Sequence, residues 1–372
     1  MKMPKTSDIL GIINKIAPVS LAEGWDNPGL QVGDPAAEAS RIMVALDPTS
    51  DVIASAIESS CQLLLTHHPL IFKPIKSIST ATRQGALIHS AIKAGLSIVS
   101  MHTNYDIATG GLNDLLARKM GLSGCVPLQV TATQELIKLV VFVPTDHIEK
   151  MRSALSPYAE SIGNYRDCSF TTGGEGTFTP LDGADPFLGA VGIHQKVAEQ
   201  RLELLVGRNN LPRAIKALMA AHPYEEPAYD VYTLLNEGEK LGLGRIGSLS
   251  NKVALADFAG QIKKTLSAPG LRYVGDPSAI LSKVAICSGS GASLLREAAR
   301  AGADVLVTGD VKYHEARDAQ DLSIALIDAG HFHTEIIMVA EMAERIGTAL
   351  RAAGYKDCQV VPCLVETDPF RT

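Results

Sequence analysis

Residues 41–68 can be laid on residues 283–310 without a gap, and both stretches read as strand, helix, strand. Arg41-Ile42-Met43-Val44 meets Lys283-Val284-Ala285-Ile286, and Leu63-Leu64-Leu65-Thr66-His67-His68 meets Val305-Leu306-Val307-Thr308-Gly309-Asp310. A third strand follows in each, with Leu96-Ser97-Ile98 resembling Leu322-Ser323-Ile324. Short apolar runs separated by helical stretches are the pattern of parallel strands buried on both faces. Its occurrence near each end predicts an α/β fold: a duplicated α/β core with mostly parallel sheets.

In the first half, helices are expected over Ser7–Ala17, Asp51–Ser59, Arg83–Ala94 and Leu112–Met120. Strands are expected over Arg41–Leu46, Cys61–Thr66 and Leu96–Ser100. In the second half the strands are Lys283–Ser288, Asp304–Thr308 and Leu322–Ile327. Leu294–Ala301 is a helix there, and one long helix runs from near His331 to about Ala353. The texture between the halves differs. Strands are expected at Leu136–Pro144, Arg201–Gly207 and Tyr229–Leu235, with helices at Asp146–Leu155 and Pro212–Ala221. Cys168–Thr172 and Gly176–Thr179 read as two strands around a turn at Gly173-Gly174-Glu175. That order suggests an inserted α+β unit of ferredoxin-like type. The chain thus divides into 1–127, 128–244 and 245–372, the first and last forming the core.

Composition narrows the function. Of 372 residues, 46% are hydrophobic and 20% charged, which suits a globular protein with real cores. The formal charge of −6 gives no basic footprint, so nucleic acid is not the expected partner. No apolar run is long enough to span a bilayer, and the N-terminus shows no signal peptide. The six cysteines form no CxxC pair and several lie in apolar runs, as for reduced, buried thiols in the cytoplasm.

Three expected strands end in residues that bind metals. The first ends in His67 and His68, the second in His102 and Asp106, and the third leads to His331 and Glu335. In a parallel sheet, ligands bind beyond the carboxyl ends of the strands, so these sets share one rim. His331 and Glu335 are four apart and share a helix face, whereas His333 points elsewhere. Thr308-Gly309-Asp310 ends a fourth strand, followed by Lys312 and His314. Imidazole and carboxylate without thiolate suit divalent Zn, Fe, Mn or Co. Five good ligands are enough for two cations bridged by a carboxylate. Because adjacent side chains diverge, His67 and His68 are expected to serve different ions. His102 and His314 are the candidate proton carriers.

Other motifs are weaker. The loop Gly24-Trp25-Asp26-Asn27-Pro28-Gly29 either packs its tryptophan on the core or folds over a site. Gly289-Ser290-Gly291 follows a strand and either caps a helix or cradles an anion. His222-Pro223-Tyr224-Glu225-Glu226-Pro227 reads as a rigid surface loop.

The Gly24–Leu30 run, Thr66-His67-His68-Pro69, His102-Thr103-Asn104-Tyr105-Asp106, Thr308-Gly309-Asp310 and Gly330-His331 with Thr334-Glu335 together resemble the Nif-three-like dinuclear metal proteins. Bacterial members are labelled GTP cyclohydrolase I type 2 homologues. The middle segment, with Gly163-Asn164-Tyr165, Gly176-Thr177-Phe178 and the His222–Pro227 motif, resembles the inserted domain of the longer members, similar in fold to PII and CutA proteins. The resemblance implies that His68 and Asp106 hold one ion, His67 and His331 the other, and that Glu335 bridges. It implies a homo-hexamer with sites facing an interior cavity. His102 and His333 are not core ligands in that pattern, and His333 replaces a commoner small residue. The expected function is metal-dependent hydrolysis of a nucleotide-like small molecule. The alternative is a metal-handling or regulatory scaffold with the insert as sensor or docking domain.

Overall fold

The computed structural model describes residues 2–371. Strands β1 (Gly29–Val32), β2 (Arg41–Ala45), β3 (Leu63–Thr66) and β4 (Ser97–Ser100) come first. They are followed by β5 (Leu122–Pro144), β6 (Ser169–Phe178), β7 (Gln195–Gly207) and β8 (Tyr229–Ala254). The last are β9 (Arg272–Val274), β10 (Ile280–Ile286), β11 (Val305–Thr308), β12 (Ala325–Asp328) and β13 (Gln359–Pro362). The chain forms two compact units, one holding the residues up to Ala132 and again from Leu241, the other spanning Thr133–Lys240.

The architecture is mixed α/β. In the larger unit, one sheet has the order β1-β4-β3-β2-β13. Its β13, β2, β3 and β4 run parallel, and β1 closes the edge antiparallel to β4. In the second sheet β10, β11 and β12 are parallel, flanked by antiparallel β8 and β9. Both sheets are therefore mixed rather than wholly parallel. The edge strands β1, β9 and β13 lack a strong alternating pattern, so the sequence did not mark them.

Each sheet is covered on both faces, as its unbroken apolar strands require. Ile42, Val44, Leu63 and Leu65 pack on the helices Thr6–Ile16 and Ile337–Ala352. Met43, Leu64 and Ile98 pack on the helices Ser50–Glu58 and Arg83–Ala94. Thr49 and Thr82 cap those helices through their hydroxyls. In the other sheet Val284, Ile286, Val305 and Val307 meet Phe258 and Ile262 of the helix Leu255–Thr265. Full burial of each such leucine or isoleucine contributes about 1.5–3 kcal/mol, enough to fix the strand register on which the site depends.

Three expectations need correction. The glycines at 173–176 make no turn, and β6 runs straight through them, paired with β7 from Ser169↔Leu204 to Phe178↔Gln195. Leu322–Ser323 does not start a strand: Ser323 has φ 55°, and β12 begins at Ala325. The helix from His331 is two helices, His331–Glu335 and Ile337–Ala352, meeting at Ile336.

Candidate metal centre

The parallel strands deliver their carboxyl ends in matched register. Thr66 stands opposite Ser100 in one sheet, and Thr308 opposite Asp328 in the other. Beyond Thr66 the backbone stays pinned, because His67 N donates to Ala45 O (3.2 Å) and His68 N to Leu46 O (3.0 Å). Thr66 Oγ1 donates to His68 O (2.7 Å) and Ser100 Oγ to His67 O (2.9 Å). Two adjacent imidazoles are thus held with little freedom.

Four histidines share one arrangement. His67 Nδ1 lies 2.9 Å from Met101 O, a group that only accepts, so Nδ1 carries the proton and Nε2 a lone pair. His68 Nδ1 donates to Asp47 (2.8 Å), His102 Nδ1 to Asp26 (2.8 Å) and His331 Nδ1 to Asp310 (2.7 Å). A carbonyl or carboxylate behind Nδ1 sets the tautomer and aims Nε2, which is how proteins orient metal-binding histidines. The Nε2 atoms of His67, His68 and His331 converge on Glu335. The ligand atoms of His67, His68 and His102 lie within 4.8 Å of one another, as do those of His68, His331 and Glu335.

Glu335 divides its oxygens. Oε1 lies 3.8 Å from His67 Nε2, and Oε2 lies 3.1 Å from His68 Nε2 and 3.0 Å from His331 Nε2. Asp106, from the helix Thr103–Ile107, comes within 3.7 Å of His67 Nε2 and accepts from Ser288 Oγ (3.2 Å). The distances group these residues differently from the expected pattern: His67 goes with Asp106, and His68 with His331, at 3.3 Å between their Nε2 atoms. The register explains this, since β3 and β4 are neighbours and place His67 beside the Met101–Asp106 segment.

These atoms fit a cation. His67 Nε2 is buried without a hydrogen-bond partner, and the buried Glu335 Oε2 meets His68 Nε2 and His331 Nε2. His68 Nε2, His331 Nε2 and Glu335 Oε2 place three electron pairs 3.0–3.3 Å apart. Ligands of a tetrahedral zinc ion stand about 3.3 Å apart. Lone pairs at that separation repel unless a positive charge lies among them. Without a cation among them, protons on the imidazoles relieve that repulsion instead. Burial opposes charge on His68 and His331, but hydrogen bonds to Asp47, Asp310 and Glu335 outweigh it and lift them to about 10 and about 9. His67, enclosed away from solvent, is pushed down to about 3 by that burial. Burial opposes the charge on Glu335 too, but the three histidines hold its carboxyl well below the usual range. Asp106 is raised by burial and by the charge of Glu335. Asp26 stays ionised, because hydrogen bonds from His102 and Thr103 outweigh burial and hold it at about 2.

Glycine makes room for this geometry. Gly289 has φ 58°, a left-handed backbone, and a Cβ there would collide with Glu335 Oε1. The amides of Gly289 and Gly291 donate to the Thr334 and Thr308 hydroxyls (3.0 and 2.8 Å), so this run gives Glu335 room rather than cradling an anion. A Cβ on Gly309 would stand 2.5 Å from His331 N.

The remaining sequence candidates lie apart. His314 is exposed on the helix Tyr313–Asp321, its ring against Tyr313. His333 Nε2 faces Asp368 (3.1 Å). His222 braces its own loop, with Nε2 on Phe142 O and Nδ1 accepting from Tyr224 N. Asp47, Ser288 and Glu366 were not anticipated. Glu366 accepts from Leu46 N and Asp47 N, both at about 2.9 Å, and so holds the carboxylate that holds His68. Trp25 is 58% exposed, its ring 5.9 Å from that of His102 and 5.6 Å from Phe72. Its loop thus lies at the site rather than in the core.

Comparison with known proteins agrees over the whole chain. Residues 4–369 match the family described as Duf34/NIF3 (NGG1p interacting factor 3). A protein of Halalkalibacterium halodurans named GTP cyclohydrolase 1 type 2 homolog is 43% identical over 371 residues, covering 100% of this chain and 99% of that one. A Bacillus subtilis protein of the same name is 41% identical over 330 residues, 88% of each chain. The crystal structure of a Bacillus cereus protein related to NIF3 superposes with a TM-score of 0.92 at 38% identity, covering 100% of both chains. With its strand-end histidines and Glu335 gathered at one rim, the chain belongs to the Duf34/NIF3 family.

Proposed function

We propose that the chain holds two divalent cations and uses them to hydrolyse a nucleotide-like small molecule. One observation carries the dinuclear reading: the two oxygens of Glu335 face two different sets of donors. His67, Asp106 and Glu335 Oε1 would hold one ion, with His102 in reach. His68, His331 and Glu335 Oε2 would hold the other. When bound, such a pair supplies Lewis acidity toward a substrate oxygen and acidifies water. The chain's residues do the rest. Asp26 fixes His102 so that its Nε2 can take or return a proton beside the ions. Trp25 and Phe72 offer exposed flat faces next to His102, on which a heterocycle can stack. His314 has no such place.

The names of the relatives point to the same substrate class. Among the described residues no helix is long and apolar enough to cross a membrane. The same proposal includes a cytoplasmic setting, a homo-hexamer and the reading of Thr133–Lys240 as an inserted PII/CutA-like domain.

Metal analysis of protein purified without added metal, followed by turnover against a nucleotide panel, tests the proposal. The expected result is two ions per chain and a product that disappears in Glu335→Ala. A single ion per chain would overturn the dinuclear reading. Two ions with no product from any nucleotide would overturn the hydrolase reading.

A further inference from the structure

The unit spanning Thr133–Lys240 contains a cavity that the metal centre does not use. Its sheet has the local order β6-β7-β5. One face carries Val141, Val143, Leu202, Leu204 and Val206 against the helices Ile148–Leu155 and Leu211–Ala221. Alternation turns Phe142, Glu199 and Arg201 to the opposite face. There Phe142 pairs with Arg201, Arg201 with Thr172, and Glu199 with Gly174. A cavity of about 580 Å³ opens on this face, roofed by residues 180–188 and Tyr224-Glu225-Glu226. That volume lies within the range of small-molecule sites, about 300–1,000 Å³.

The lining has a definite chemistry. Four aromatic rings line it, Phe142, Phe178, Phe187 and Tyr224, with Phe178 at 5.8 Å and Phe187 at 6.2 Å from Tyr224. The floor is bare backbone at Gly174, where a Cβ would meet nothing within 4 Å. This explains why glycines occupy a strand that a turn would otherwise claim. Charge sets the sign of the ligand. Glu175 is paired with Lys196 (3.0 Å) and Arg201 with Glu203 (3.1 Å). Glu199, Glu225 and Glu226 also line the cavity, and none of them has an ion-pair partner among the described residues. Glu199 accepts from the Tyr224 hydroxyl at 3.0 Å.

Aromatic faces attract cations through their quadrupole, and unpaired carboxylates reinforce that attraction. The same carboxylates repel phosphate. We infer that this cavity binds an organic ammonium with an apolar or aromatic body, its charge near Glu199 and its body against Phe178, Phe187 and Tyr224. Arg201 Nε is buried without an acceptor, so a hydrogen-bond acceptor on that body gains a partner.

Calorimetric titration of the full chain with phenethylammonium, choline and spermidine, and with phenylacetate as the anionic counterpart, tests this. At least one ammonium should bind ten-fold or more tighter than phenylacetate. Glu199→Gln should weaken it ten-fold, and Gly174→Leu, which fills the cavity from an unstrained edge position, should abolish it. If Gly174→Leu lowers the melting temperature, Glu226→Gln takes its place, with about three-fold weaker binding expected. The inference is overturned if no ammonium binds, if phenylacetate binds as well, or if the folded variants bind unchanged. It is also overturned if Gly174→Leu alters self-association alone, because a second copy would then cover this face.

Discussion

The two halves of the larger unit share one plan and use it differently. In each, three parallel strands lead from the interior to a common rim, and an antiparallel strand lies outside the third: β1 on β4, β9 on β12. In the first half both strand ends supply imidazole or carboxylate directly, as His67 and His68 and then His102 and Asp106. In the second half the matching strand end is Thr308-Gly309-Asp310. Gly309 lets the His331 backbone come close, and Asp310 orients the His331 ring. A position that carries imidazole in one half is space in the other, and its neighbour is an orienting group. Duplication of a scaffold therefore need not duplicate its site: one copy can be stripped back so that the other's ligands have something to meet.

The largest expected effect breaks both halves at once. Glu335→Ala removes the carboxylate whose two oxygens face both donor sets, and plasma mass spectrometry should find neither ion retained. Retention of one ion would mean that the halves hold metal independently. Next, His67→Ala should lose one ion and keep the other, and His331→Ala should do the same for the opposite ion. Equal loss of both from either variant would show that the halves do not divide the donors as their distances suggest. Asp47→Asn and Asp310→Asn are a matched pair, each leaving a histidine without its carboxylate. Each should weaken binding of the His68/His331 ion about 10–100-fold in competition with a chelator. A large effect from Asp47 alone would rank the first half above the second. The smallest effect is expected from Ser288→Ala, which removes one hydrogen bond to Asp106 across the halves. It should cost about 0.5–1.5 kcal/mol in denaturant unfolding or in metal affinity.

Much of this could be read from the chain, for identifiable reasons. Leu63-Leu64-Leu65 ending in two histidines is legible because apolar runs fix a strand and imidazole is rare at its end. The spacing of His331 and Glu335 is legible because helix geometry puts them on one face. The sorting of donors was not, because whether His67 meets Asp106 or His331 depends on how two separately encoded sheets abut. Asp47 was hidden for another reason, and Asp310 was visible at a strand end but without its role: aspartate after a strand is common turn chemistry, and only the ring it touches shows what it does. The glycines at 173–176 misled because glycine usually marks a turn, whereas here its lack of a side chain keeps a strand face open.

Glu366 has a consequence for how the molecule is made. Its carboxylate holds the Leu46 and Asp47 amides from 320 residues away in sequence, and β13 adds to the edge of β2 equally late. During synthesis His67, His68, His102 and Asp106 leave the ribosome long before His331 and Glu335. At typical elongation rates the interval is roughly 10–50 s. Through that time the nascent chain exposes a partial set of imidazoles with neither the Glu335 carboxylate nor Glu366, the group that steadies Asp47. In the proposed centre, metal loading would therefore follow synthesis, and an ion captured earlier would meet a different set of donors from the one the finished protein presents.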